Sequence, residues 1–368
     1  MSKSRDEAIR LRPTMHDVAA LAGVSLKTVS RVVNQEPGVS RDRVLRVDRA
    51  AAQLDYRPNL AASSLRRANG RTATIGLLLE DVANPFSSSV HRAIEDAARQ
   101  RGVAVLASSL DEDPDRERQL TRALVSRRVD GLIIVPAGPD QSYLLSERRA
   151  GLALVFVDRP PSFLEADTVL AANREGARTG VRHLLERGHR RVAYLGDLLS
   201  ISTARDRFAG YQEALRDAAV AEDERLIRHE LHSVEAAEVA TRELLSREPG
   251  VAPTALFTSQ NLVTIGAIKA LRGMGRQRSV ALLGFDELIL GDLLEPGLTV
   301  VAQDPVAIGA AASELLFRRL DGDGSPTQLR VIPTRLIIRG SGEIAPTVPL
   351  VQGPRTEMAR GDGRAGPR

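Results

Sequence analysis

Cysteine and tryptophan are absent from the 368 residues, and aromatic residues together make up only 3%. Without cysteine there is no disulfide, no thiolate nucleophile and no Cys-ligated zinc, a composition that suits a reducing compartment. No run of 18 or more apolar residues occurs, so no membrane span is expected. The opening MSKSRDEAIRLRP alternates charge and lacks the apolar core of a secretory signal, which places the expected location in the cytoplasm. Missing too are a G-x-G-x-x-G after a strand, a G-x-x-x-x-G-K-[ST] loop and a G-x-S-x-G elbow. His183 and His189 are six apart and share no helix face, and His229 and His232 in RLIRHELH have no acidic partner at ligand spacing. Neither a metal site, a cofactor nor an enzymatic activity is therefore expected.

What is present is a soluble composition, 43% hydrophobic and 27% charged, on a chain long enough for two or three domains. The core must be mostly aliphatic. Net charge is only +4, but residues 1–70 hold 13 Lys/Arg against 7 Asp/Glu while the remainder holds 38 against 40. A basic head on a slightly acidic body is the asymmetry expected when one end meets a polyanion.

The head contains three short helical patterns. Thr14 followed by Asp17 predicts a capped start, Val18, Leu21 and Ala22 an apolar stripe, and Gly23 a stop. Ser25 restarts the chain with Val29, Val32 and Val33 inward, leaving Leu26, Lys27, Ser30, Arg31 and Asn34 outward. After the loop QEPGV, Ser40 is expected to cap a third helix with Val44, Val47, Ala51 and Leu54 inward. A glycine corner between the first two helices describes a helix-turn-helix unit. Its second helix carries cationic and hydrogen-bonding groups at the end that major-groove readers use. Next, Tyr56 and Pro58 stop the third helix, and Asn59 can cap a helix over about 60–66 that is too short to stand alone in water. Small Ala61 and Ala62 with Leu65 suit a wedge pressed into a minor groove.

The run TMHDVAALAGVSLKTVSRVVNQEPGVS…RVDRAAAQLDYRPNLAASSLRR resembles the head of the lactose-repressor (LacI/GalR) family of bacterial transcription factors. The resemblance implies that Leu26, Lys27 and Arg31 read bases of an operator in double-stranded DNA. It implies that Thr14, Ser25, Thr28, Ser30, Asn34, Val39 and Ser40 fix the backbone register, with Asn59, Ala62 and the intercalating Leu65 on the hinge. Domains are expected at 1–12 (flexible leader), 13–58 (helix-turn-helix), 59–70 (hinge), 71–340 (core) and 343–368 (a disordered Pro/Gly-rich tail).

From residue 73 short apolar strands (TIGLLLE, VAVLASS, GLIIVPA, ALVFVD, RVAYLGD, ALFTSQ, VALLGFD, TVVAQD) alternate with amphipathic helices. Such alternation predicts an α/β core of parallel sheets covered on both faces, in two similar lobes with a ligand site at the carboxyl ends of the strands. The resemblance extends through this core and implies a periplasmic-binding-protein-like pair of lobes, one near 71–170 and 302–330, the other near 171–301 and 331–342. Groups at strand ends are the candidate effector contacts: Asp81, Asn84, Phe86, Asp158, Arg205, Gln260, Asn261, Asp286 and Gln303. Carboxylates, amides and one arginine suit a sugar or related polyhydroxylated effector, because each hydroxyl both donates and accepts. In place of the family's common Asn-Asp stands Gln260-Asn261, which removes a carboxylate but leaves Asn261 able to cap a helix.

A repressor whose operator affinity is controlled by an effector is the reading these features support. The tail lacks the heptad leucines that some tetrameric members of the family it resembles use at this end, so the resemblance implies a homodimer on a pseudo-palindromic operator. A solute-binding protein of a transport system shares the body but not the head, and a sugar- or nucleoside-acting enzyme would need a nucleophile or metal that the sequence does not supply.

Overall fold

A computed structural model describes residues 13–34, 36–57 and 71–346. The expected hinge with Asn59, Ala62 and Leu65 lies outside the described residues, as do 1–12 and 347–368.

The head is three helices, α1 (Met15–Ala22), α2 (Leu26–Val33) and α3 (Arg41–Gln53). Thr14 and Asp17 close a reciprocal capping box, the Thr14 amide donating to Asp17 Oδ2 at 2.7 Å. Gly23 ends α1 at φ 61°, a left-handed turn that glycine enters without strain. Ser25 Oγ accepts from the Thr28 amide and starts α2. Val18, Ala19, Ala22, Val29, Val47 and Ala50 form the small core. Leu21 is 46% exposed rather than inward, because the buried stripe of α1 runs through Val18, Ala19 and Ala22. Ser40 sits at the start of α3 but its side chain makes no capping bond.

The body is two α/β lobes. Lobe one runs β1 (Thr74–Leu79), α4 (Pro85–Gln100), β2 (Ala104–Ser109), α5 (Pro114–Ser126), β3 (Gly131–Ile134), α6 (Leu145–Arg149), β4 (Ala153–Val157) and β5 (Asp167–Ala171). Lobe two runs α7 (Asn173–Glu186), β6 (Val192–Leu195), α8 (Ser202–Asp217), β7 (Ile227–Arg228), α9 (Val234–Leu245), β8 (Ala255–Thr258), α10 (Asn261–Gly273), β9 (Ala281–Phe285) and β10 (Thr299–Ala302). The chain then returns through α11 (Pro305–Leu320) and β11 (Leu329–Ile332) to lobe one, and ends with β12 (Arg335–Ile337) in lobe two.

The sheets repeat one plan. Their orders are β11-β5-β4-β3-β1-β2 and β12-β10-β9-β8-β6-β7, parallel throughout except for β12 against β10. Nearly continuous apolar strands explain this: β3, β4, β8 and β9 are buried at every residue and must be covered on both faces. In lobe one, Ile75, Leu77, Val155 and Val169 meet α4 and α11 on one face, while Leu78, Leu132, Ile134 and Phe156 form the other. The expected division at 330/331 falls inside β11, whose pairing with β5 holds it in lobe one as far as Ile332. The tail's first residues also depart from expectation. Glu343 pairs with His183 and Arg187, and the Ile344 carbonyl meets His189 Nε2 at 2.9 Å, so both are docked on lobe two.

Within each lobe, paired helices cross where one presents glycine. A Cβ at Gly210 would overlap the Arg174 carbonyl of α7, and one at Gly309 would lie 2.7 Å from Ala93 Cβ of α4. Gly210→Leu is therefore expected to destabilise the protein by about 1–3 kcal/mol through overpacking, read as a lower denaturation midpoint with lobe two losing protection first in hydrogen exchange.

Candidate functional site

Parallel strands all end on one edge, so both lobes present their carboxyl ends to the same crevice. In each sheet the strand order reverses between the first and third strands, β1 and β3 or β6 and β8, which opens the crevice where ligands bind in such folds. Lobe one places Glu80 and Asn84 after β1, Glu112 after β2, and Asp158 and Arg159 after β4. Lobe two places Asp197 after β6, His232 after β7, Gln260 and Asn261 after β8, Asp286 after β9 and Gln303 after β10.

A reciprocal pair of amide bonds spans the lobes. Asn84 Oδ1 caps α4 through the Phe86 amide at 3.0 Å and accepts Asn261 Nδ2 at 2.9 Å. Asn84 Nδ2 reaches back to Asn261 Oδ1 at 3.5 Å. Asn261 is the first residue of α10 rather than its cap. Gln260 takes that role, its Oε1 accepting from the Leu262 amide at 3.0 Å while its Nε2 donates to Asp197 Oδ2 at 3.1 Å.

The crevice is rich in buried charge. Arg159 is clamped by Glu112 through two bonds of 2.6 and 2.5 Å and also donates to the Pro136 carbonyl. Glu80 lies 3.9 Å from the same guanidinium. Burial pushes the Glu80 carboxyl up to about 7, and Arg159 only partly opposes it against the carboxylates of Glu112, Asp158 and Asp197. Asp286 is raised in the same way by burial, with Arg207 opposing and Asp158 across the crevice adding to the rise. His232 Nδ1 lies 2.7 Å from Asp197 Oδ1, and that bond raises its pKa, with Glu80 and Glu112 adding to the rise. Asp158 and Asp286 take left-handed φ of 65° and 76° at matching strand ends, a conformation that costs a non-glycine residue energy and gathers at functional sites.

Arg205 is not where a converging ring needs it. It is exposed and donates to the Leu199 and Ser200 carbonyls at 2.7 and 2.8 Å. Two residues on, about 200° round the helix, Arg207 is buried. It donates to Asn173 Oδ1 and the Ser259 carbonyl, lies 3.8 Å from Asp286 Oδ2 and stacks 3.9 Å over Phe285. Asp81 shapes the turn before Asn84 by accepting from the Ala83 amide at 2.8 Å. Phe86 packs on the lobe-one core and lines a small pocket with Glu80 and Asp158. Gln303 Nε2 donates to Asp286 Oδ1 at 2.7 Å.

On the head, Lys27 is exposed with no partner among the described residues. Arg31 instead folds back, donating to the Pro37 carbonyl and lying 3.5 Å from Glu36. Ser25 and Thr28 hydroxyls bond each other at 2.9 Å, and Asn34 Nδ2 meets Ser30 Oγ at 3.4 Å. Leu26 and Val39 are half-buried, while Thr14 and Ser40 are exposed.

Comparison with known proteins agrees with both parts. Residues 14–59 match the family model for bacterial regulatory proteins of the lacI family, and 181–342 match a periplasmic binding protein-like domain. The ribose operon repressor of Halalkalibacterium halodurans is 34% identical over 331 residues, covering 89% of this chain and 96% of that protein. The chain belongs to the LacI family. A second relative, the regulator GalR of Escherichia coli, is 32% identical, with 89% and 95% of the two chains covered. Among solved structures, the lac repressor dimer bound to operator and the anti-inducer ONPF is 28% identical, with a TM-score of 0.80 over 91% of this chain and 100% of that one. The complex of the regulator CelR with cellobiose is 30% identical with a TM-score of 0.65, covering 90% and 100%.

As a LacI-family member this protein is a DNA-binding transcriptional regulator with a two-lobed α/β core. Its crevice includes residues the sequence reading did not place there: Glu80, Glu112, Arg159, Asp197, Arg207 and His232. Their signal was weak, a polar residue just past an apolar strand. His232 has no acid at ligand spacing in sequence, yet the fold brings Asp197 to it from 35 residues away. Among the described residues no group of three or more His, Asp and Glu could hold a metal ion, and no helix is long and apolar enough to cross a membrane.

Because the folded pKa of Glu80 is raised, the folded state holds this proton more tightly than the unfolded chain. The associated stability is complete below about pH 4.5 and lost as the pH climbs through 7. Glu80→Gln removes the buried charge. Thermal denaturation should show it more stable than wild type at pH 8, by about 2–3 kcal/mol at most, with the difference vanishing near pH 5.

Proposed function

We propose that this protein is a cytoplasmic repressor, not an enzyme, that binds a pseudo-palindromic operator as a homodimer and is controlled by a sugar-like effector in the crevice. The Asn84–Asn261 bridge between two facing carboxyl edges, on the same chain as the helix-turn-helix head, is the observation that carries this reading. Ribose operon repressor and lac repressor are the names of proteins similar along nearly the whole chain, which favours repression and a dimer.

The coupling follows from where the head leaves the body. Thr72 is fixed to lobe one, its amide donating to Asp130 Oδ1 at 2.7 Å and its hydroxyl to the Arg128 carbonyl at 2.9 Å. A change in the angle between the lobes therefore moves lobe one and the exit of the hinge together. Two hinges in a dimer then approach or separate, and the short 60–66 helix with Asn59, Ala62 and Leu65 forms on the minor groove or is released. An effector that binds one lobe angle more tightly shifts the operator equilibrium by that difference, about 1–3 kcal/mol in typical cases.

The test uses the full chain with fragments flanking its own coding region, measured with and without sugars and polyols that shift its melting temperature. One fragment should bind at nanomolar concentration, and at least one such compound should change that affinity at least five-fold without being turned over. Failure to bind any fragment, or turnover of the compound, overturns the reading. On the head, Lys27→Ala should weaken operator binding by roughly 1–3 kcal/mol and relax preference at one base pair. A loss equal across all sequences would make Lys27 a phosphate contact instead.

A further inference from the structure

The crevice has an excess of acid that its own cations do not relieve. Five carboxylates, Glu80, Glu112, Asp158, Asp197 and Asp286, stand at the facing strand ends with two guanidiniums, Arg159 and Arg207, and one imidazole, His232. The Coulomb influence of Asp197 on Glu80, of Asp158 on Asp286, and of Glu80 and Glu112 on His232 shows that these groups share one field across the lobes.

Each cation is already engaged. Arg159 gives both terminal nitrogens to Glu112, and Arg207 is held by Asn173, Ser259 and Asp286. His232 is engaged by Asp197. Phosphate and carboxylate recognition in proteins relies on a guanidinium fork or an ammonium free to point at the anion. None is free among these groups, and an entering anion would face Glu80 and Asp158.

Among the buried polar atoms without a hydrogen bond in the described residues, Arg159 Nε and Gln303 Oε1 belong to these strand-end groups. Arg159 Nε, on a side chain only 8% exposed, is a donor that stands 3.6 Å from Asp158 Oδ2, beyond hydrogen-bond distance. Gln303 Oε1 is a buried acceptor. A hydroxyl satisfies either kind of atom, since it both accepts and donates. The surplus carboxylates and the second lone pair of Gln260 Oε1, which accepts only from the Leu262 amide, are acceptors suited to further hydroxyls.

We propose that the effector is a polyhydroxylated compound carrying neither phosphate nor carboxylate, so that the crevice admits free sugars, polyols or their amine-bearing counterparts and excludes sugar phosphates and sugar acids. This rests on the reading of the crevice as the effector site and adds its charge selectivity.

The experiment screens the full-length protein with matched sets of free sugars, alditols, amino sugars, sugar phosphates and aldonates, reading melting temperature and operator affinity for each. A free sugar, alditol or amino sugar should act, with its phosphorylated and carboxylated counterparts needing at least a hundred-fold higher concentration. An anionic member acting at equal or lower concentration overturns the charge selectivity while leaving the effector reading intact. Silence from every class, in a protein that binds its operator, overturns both. Glu112→Gln supplies a second readout by releasing Arg159 from its carboxylate. In a variant that keeps the wild-type circular dichroism, the preference for the neutral over the anionic partner should fall about ten-fold. An unchanged preference overturns the proposal, and if the variant does not fold the wild-type panel decides alone.

Discussion

The rest of this molecule depends on one constraint: every strand of the first five in each sheet runs the same way, and the two sheets turn that same edge toward each other. A parallel strand needs a crossover helix to return the chain, so loops at the carboxyl edge are free of the burden of tight pairing. They carry polar residues straight from an apolar core into the crevice. Three passages of the chain between the lobes keep those edges opposed while leaving the angle between them adjustable. Against that background the amide pair of Asn84 and Asn261 is modest in energy but decisive in position, since it bonds one edge directly to the other.

Buried charge gives the crevice its character. A carboxylate taken out of water is costly unless it is paired and hydrogen-bonded, and here the pairing is uneven. Glu112 is fully satisfied by Arg159, whereas Glu80 shares the same guanidinium at longer range and holds its proton near neutrality. Asp158 and Asp286 add left-handed backbone at equivalent strand ends. Strain and incomplete pairing of this kind are retained where a ligand completes the arrangement.

The head obeys a different economy. Its core is six small or medium aliphatic side chains, so helix caps and a glycine corner contribute a large share of its definition. On α2 Arg31 is folded back on the following loop, donating to the Pro37 carbonyl and lying 3.5 Å from Glu36. Lys27, on the same helix, stays exposed.

Much of this was legible in the residues. Apolar strands alternating with amphipathic helices dictate two parallel-sheet lobes, because such strands must be covered on both faces. The order Thr14…Asp17, Gly23, Ser25 dictates the helical corner, because caps and left-handed turns accept few residue types. Both are local rules, readable from near neighbours. Which side chains share the crevice was decided by tertiary structure. Arg205 and Arg207 look alike in ARDR, and only the packing of α8 against α7 and the sheet turns one outward and buries the other beside Asp286. His232 acquires Asp197, and Glu80 acquires Arg159 and Glu112, from distant segments that a single strand-end pattern cannot connect. Charge at a site is a sum over everything within a few ångströms, and that sum exists only after the chain has folded.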